Sequence, residues 1–318
     1  MPPSTGKTFQ DLRIVFMGTP PFAVASLDAL LHAGCRIVGV VTAPDKPAGR
    51  GMQMQQSAVK QFALTHDLPL LQPEKLKDPV FLQSLKAWEP DLFVVVAFRM
   101  LPEIVWNLPP LGSINLHGSL LPKYRGAAPI NWAVINGEKE TGVTTFKLKQ
   151  EIDTGNILLQ ESFPIGPQDT AGDVHDRMMH IGAEVLVRTV KGIADGSIHE
   201  WEQPQMTSTG PLPHAPKIFS ETCVLDFQQT AEKVHDRIRG LSPFPGASTL
   251  LNGRNCKLFR CVVTDCAEGK ELPAGSMHTD HKNFLHFRCA DRCIAVTELQ
   301  AEGKKKMDIL TFLRGYRP

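Results

Sequence analysis

Residues 12–20, Leu12-Arg13-Ile14-Val15-Phe16-Met17-Gly18-Thr19-Pro20, decide the fold. From Ile14 to Met17 every position is apolar. That run is too short for a helix and lacks the alternation of a half-solvated strand, so it reads as a strand covered on both faces. Gly18-Thr19-Pro20 stops it, and Phe22, Val24, Leu27, Leu30 and Leu31 then fall at helical spacing. Strand-like runs return at residues 36–42 and 91–98. Strands alternating with helical stretches mean parallel strands joined by crossover helices. Gly18 stands alone, with neither a Gly-x-Gly-x-x-Gly fingerprint nor a Gly-x-x-x-x-Gly-Lys-Ser/Thr phosphate loop. The expected fold is therefore α/β, a Rossmann-like and mostly parallel sheet that implies neither a dinucleotide nor ATP. Open α/β sheets hold ligands beyond the carboxyl ends of their strands, which directs attention to the loops after Thr42, Phe98 and Leu116.

Working outward, the chain has 318 residues, more than one hydrophobic core usually supports, and two domains are expected. Residues 143–148 and 157–163 read as strands, and Thr170-Ala171-Gly172-Asp173 is a capping-box pattern opening a helix. Residues 203–217 are dense in Pro and Gly and lack periodicity, as a linker does. Beyond them come a helix near 230–240 and five short strands, at 248–251, 256–263, 276–278, 284–288 and 293–299, the pattern of a small OB-like β-barrel. The expected division is a domain at 1–202, a linker at 203–217 and a second domain at 218–318.

Composition narrows the class. Apolar residues at 42% and charged residues at 21% suit a soluble globular chain, and no apolar run is long enough to span a membrane. The N-terminus has no signal-peptide core, so a cytoplasmic location is expected. The seven cysteines are odd in number and lack a Cys-x-x-Cys pair, which argues against a disulfide framework and structural zinc. Cys289 and Cys293 read as buried thiols, and no metal is expected. Net charge is +1; from Ile218 onward 15 Lys plus Arg face 12 Asp plus Glu, an excess too mild to reveal a nucleic-acid partner.

The chemistry is carried by Ile114-Asn115-Leu116-His117-Gly118-Ser119-Leu120-Leu121-Pro122. Strand alternation sets Asn115 and His117 on one side, with their apolar neighbours toward the core. An amide can donate to an oxygen that turns negative, and an imidazole can move a proton near neutral pH. Taken alone, His117 reads first as a hydrogen-bonded structural residue. A second block ends in Asp153-Thr154-Gly155, a turn where the carboxylate is either an Asx-turn residue or an acid–base group. Together the two blocks resemble the formyltetrahydrofolate-dependent formyltransferases, whose hallmark is Asn-x-His-x-Ser-Leu-Leu-Pro followed some 35 residues later by Asp-x-Gly. Within them the chain is similar to the methionyl-tRNA formyltransferases along nearly its full length. Pro44-Asp45-Lys46-Pro47-Ala48-Gly49-Arg50-Gly51, Arg125-Gly126-Ala127-Ala128-Pro129 and Ser242-Pro243-Phe244-Pro245-Gly246 carry that likeness.

The resemblance implies transfer of a formyl group from 10-formyltetrahydrofolate, a cosubstrate, to the amino group of methionyl-initiator tRNA. It implies Asn115, His117 and Asp153 as the catalytic set, and the second domain as the tRNA-binding one. Folate is expected along Phe98, Arg99, Met100 and Leu101 and along Ser119, Leu120, Leu121 and Pro122, although the latter suit an ordinary loop anchor equally. Transfer RNA is expected at Arg50 and Lys46, with Lys304, Lys305 and Lys306 as phosphate contacts or a solvated run. Where lysines are expected after Gly51, this chain has Met52-Gln53-Met54-Gln55-Gln56. A monomer is expected. The rivals are a sugar-nucleotide formyltransferase, which shares the first motif, and a formyltetrahydrofolate hydrolase.

Overall fold

The computed structural model describes residues 8–48, 53–203, 211–266 and 272–316. The chain divides into two compact units. The first takes the chain up to Arg125 with Gly142–Ser162 and Arg177–Pro213; the second takes Gly126–Thr141, Phe163–Asp176 and the chain from His214.

The first unit is built on a seven-stranded sheet. From one edge the strands run Leu70–Leu71, Ile37–Val41, Ile14–Gly18, Leu92–Val96, Ser113–His117, Glu140–Lys147 and Ile157–Pro164. The pairs from Leu70–Leu71 through Ser113–His117 are parallel, and Glu140–Lys147 joins antiparallel. Strand order reverses at Ile14–Gly18, so the carboxyl ends of that strand and of Leu92–Val96 flank the switch point where such sheets open a crevice. The unbroken apolar run at 14–17 is accounted for: all four side chains are fully buried. Gly18 permits the tight turn into the helix Pro21–His32, since a Cβ there would sit 2.6 Å from the Cβ of Ala23. Pro21 opens that helix, where a missing N–H costs nothing. Phe16, Phe93 and Phe146 are fully buried, each contributing about 2–3 kcal/mol of transfer free energy.

The second unit packs the helix Ala231–Gly240 on a curled antiparallel sheet ordered Ala247–Leu251, Arg254–Thr264, Cys293–Ala301, Leu285–Arg288 and Met277–Thr279, with Met307–Asp308 added to Cys293–Ala301. It forms a half-barrel. Leu285 and Phe287 face inward while His286 and Arg288 do not, the period-two pattern of one covered face. Ala231, Val234, Ile238 and Leu241 supply the apolar stripe of the helix. Among the described residues no helix is long and apolar enough to cross a membrane.

Two expectations need correction. Part of the loop expected after Thr42 is a two-stranded antiparallel ribbon, in which Lys46 pairs with Gln55 and Pro47 with Met54. Pro and Gln carry little strand signal, so only the cross-strand pairing exposes it. Cys293 is not a free thiol: it forms a disulfide with Cys266, Cα atoms 5.5 Å apart. The register sets Thr264 opposite Cys293, which brings Cys266 within reach across 27 residues of chain. Cys289 is a buried free thiol.

Candidate active site

The strand Ser113–His117 lies between a parallel and an antiparallel neighbour, with Asn115 opposite Phe146 and His117 opposite Thr144. The His117 side chain is 8% exposed, and its ring meets the Phe146 ring edge-on. His117 Nε2 lies 2.9 Å from the Tyr124 carbonyl oxygen. A carbonyl only accepts, so Nε2 carries the hydrogen and donates it. Nδ1 is left facing Asp153, whose Oδ2 stands 3.7 Å away on a side chain 12% exposed. That separation is an ion-pair distance, longer than a direct hydrogen bond. Asn115 Oδ1 is buried without a hydrogen-bond partner among the described residues. A buried amide oxygen left unpaired costs about 1–3 kcal/mol, the kind of deficit found where a ligand completes the bonding.

Asp153 sits in the turn before Ile157 at φ 56°, a left-handed conformation that aspartate tolerates better than most residues. Gly155 is required two positions later: a Cβ there would lie 1.6 Å from the Lys147 carbonyl oxygen. Gln203 donates from Nε2 to the carbonyls of Asp153 and Gly155, at 2.9 and 2.7 Å.

The loop after His117 is braced from the neighbouring strands. Thr144 Oγ1 donates to the Ser119 carbonyl at 2.6 Å and accepts from Leu121 N at 3.1 Å. Gln160 Nε2 donates to the Leu121 carbonyl at 2.8 Å, and Ser119 Oγ donates to the Lys123 carbonyl at 2.7 Å. The polar atoms of Ser119 and Leu121 are thus largely committed within the protein, and the Leu121–Pro122 bond is cis. The other segment differs. Phe98, Arg99, Met100 and Leu101 leave the strand Leu92–Val96 through Ala97 at φ 47°, and their main-chain groups bond no other main-chain group among the described residues. The Arg99 guanidinium lies over the Phe98 ring and donates to the carbonyls of Pro73 and Glu74. Met100 is 75% exposed.

Of the residues expected to meet tRNA, Lys46 is exposed on the ribbon. Beside it, Asp45 accepts from Lys60 at 2.5 Å and from Gln72 at 2.9 Å, bonds that hold its carboxyl below the usual carboxylate range. Arg50 lies outside the described residues. In the second unit Lys304, Lys305 and Lys306 are exposed, and Lys306 is engaged with Glu298 at 3.0 Å and with the Phe259 ring. Sequence reasoning missed Thr144, Gln160 and Gln203. Thr144 lies on a strand whose pattern signals only burial, and the two glutamines bond main-chain and side-chain partners distant in sequence.

Comparison with known proteins fits this geometry. A formyl transferase model matches residues 12–190, and a formyl transferase C-terminal domain model matches residues 217–317. The methionyl-tRNA formyltransferase of Bacteroides fragilis is 52% identical over 314 residues, 96% of each chain. That of Azobacteroides pseudotrichonymphae is 52% identical over 316 residues, 97% of each. Among solved structures, the sugar 3N-formyl transferase WlaRD, crystallised with dTDP and 5-N-formyl-THF, superposes with a TM-score of 0.66 at 22% identity, covering 92% of this chain and 99% of its own. The N-formyltransferase of Helicobacter canadensis, crystallised with folinic acid and dTDP-3-aminofucose, gives 0.66 at 19% identity, covering 93% and 100%. At such identities these two establish the shared fold alone. With both domain models matched and half of all positions identical to full-length relatives, this chain belongs to the formyl transferase family and, within it, to the methionyl-tRNA formyltransferases.

Proposed function

We propose that the chain transfers the formyl group of 10-formyltetrahydrofolate to the amino group of methionyl-initiator tRNA, with Asn115, His117 and Asp153 as its catalytic residues. One observation carries the assignment of roles: His117 Nδ1 faces the Asp153 carboxylate at 3.7 Å, at the end of the strand Ser113–His117 on which the Asn115 amide oxygen is buried without a partner among the described residues. The methionyl amine attacks the formyl carbon, forming a C–N bond and a tetrahedral oxyanion. The Asn115 amide donates to that oxygen, a contact worth on the order of 3 kcal/mol in the transition state. His117 Nε2–H is committed to the Tyr124 carbonyl, so Nδ1 is the nitrogen that takes the amine proton, with Asp153 stabilising the imidazolium. The same proton passes to the folate nitrogen as the old C–N bond breaks. No covalent enzyme intermediate is needed.

The open main chain of Phe98, Arg99, Met100 and Leu101 suits the polar edge of a pterin, while Ser119, Leu120, Leu121 and Pro122 form a braced wall. Residues 1–202 carry the chemistry and 218–318 bind tRNA, with Arg50 at its acceptor end, Lys46, Lys304 and Lys305 on its phosphates and Lys306 partly neutralised. The protein acts in the cytoplasm as a monomer. Its tRNA affinity falls steeply with salt, as phosphate contacts require.

The test is incubation with 10-formyltetrahydrofolate and methionyl-initiator tRNA, scoring formyl-methionine on the tRNA. Formate released at the same rate without charged tRNA, or formyl transfer only to an amino-sugar nucleotide, overturns the assignment.

A further inference from the structure

Gln203 begins the Pro- and Gly-rich stretch, yet its amide makes four hydrogen bonds inside the first unit. Oε1 accepts from Arg125 Nε at 3.0 Å and from Nη2 at 2.6 Å. Nε2 donates to the Asp153 carbonyl at 2.9 Å and to the Gly155 carbonyl at 2.7 Å. Both amide hydrogens and both oxygen lone pairs are used. The amide therefore has one orientation: turned over, it would set N–H groups against the Arg125 donors and an oxygen against two carbonyls. The residues just before it follow the same turn. Trp201 and Ile157 exchange main-chain hydrogen bonds at 2.9 and 3.1 Å, and Asn156 Nδ2 donates to Glu200 Oε2 at 3.2 Å. Residues 200–203 thus form a strap along the turn that bears Asp153, whose φ of 56° is a conformation kept only where the surroundings enforce it.

We propose that Gln203 is a positioning residue for formyl transfer: by pinning the carbonyls of Asp153 and Gly155 and being itself oriented by Arg125, it fixes the Asp153 carboxylate beside His117 Nδ1. The inference rests on the reading of Asp153 as an acid–base partner. It also gives Arg125 a role, to set the Gln203 amide rather than to touch the reacting atoms.

Two substitutions in the full chain test it. Gln203→Glu keeps an acceptor for Arg125 but loses both N–H donors, and Gln203→Met keeps the length and loses all four bonds. Both lower kcat for methionyl-initiator tRNA by about 10- to 100-fold, as a misplacement of about 1 Å does, with KM for 10-formyltetrahydrofolate changed less than about twofold. In an Asp153→Asn chain the same substitutions change the residual rate by less than about twofold, because a group acting through Asp153 then has nothing left to position. Hydrogen exchange of the peptide spanning residues 150–157 quickens in both variants. Unchanged kcat, a full loss repeated in the Asp153→Asn background, or unchanged exchange overturns the proposal, as does a failure of both variants to fold, which would make Gln203 a purely structural residue. A wild-type chain that makes no formyl-methionine sinks the functional reading instead, and the exchange measurement still decides whether Gln203 holds the turn.

Discussion

At the scale of single residues, the proposed mechanism separates a group that donates to the oxyanion, Asn115, from one that moves a proton, His117. Asn115→Ala removes the amide without leaving a charge behind, and its expected effect is a fall in kcat of about 100- to 1,000-fold, the range for one oxyanion donor, with folate affinity nearly unchanged. Steady-state kinetics paired with a direct folate-binding measurement checks this. Equal losses in kcat and in folate binding would place Asn115 in ground-state recognition. Asn115 and His117 were legible because a strand repeats every two residues, so spacing alone put both on one side. Asp153 was legible only through the motif it shares with a family, since an Asp in a Gly-bearing turn has a bland alternative. Gln203 was not legible at all. Two of its partners are main-chain carbonyls 50 and 48 residues earlier, whose chemistry no side-chain pattern records, and the third, Arg125, lies 78 residues earlier.

At the scale of elements, the loop carrying Ser119, Leu120, Leu121 and Pro122 is shaped by the strands beside it. Thr144 is fully buried, and its hydroxyl is shared among the Ser119 carbonyl, Leu121 N and Gln160 Nε2. Thr144→Val keeps the volume and β-branching but leaves these groups unsatisfied, and a loss of about 2 kcal/mol in unfolding free energy is expected from urea titration. Because the loop follows His117 directly, kcat falls in the same variant. Wild-type stability would mean the loop finds other partners. The two-faced strands at 14–18 and 92–96 were readable since burial on both sides leaves an unbroken apolar run. The ribbon of Lys46–Ala48 and Gln53–Gln55 was not, because its residues are individually poor strand formers and its pairing exists only between the two strands. The Cys266–Cys293 disulfide was hidden for a related reason: it depends on register, which cysteine counting cannot supply.

At the scale of the whole molecule, both units bury thiols that the proposed chemistry does not use, and these link stability to pH. Burial pushes the thiol of Cys35 in the first unit up to about 11, with Lys191 pulling weakly the other way. Burial likewise pushes Cys256 and Cys289 in the second unit up to about 11. In the unfolded chain such thiols ionise near 9.0. Between those values the folded protein holds protons that the unfolded chain has released, so stability falls as pH rises from about 9 to about 11, and below 9 these groups contribute no slope. Lysines and tyrosines titrate in the same window, so the informative comparison is with a chain carrying Cys35→Ala, Cys256→Ala and Cys289→Ala. That chain is less stable at every pH, because three buried side chains are truncated, but its urea midpoint declines less steeply above pH 9 than that of the parent. Identical slopes would mean that the folded state releases these protons as easily as the unfolded one, and the two cores would then admit water at their thiols.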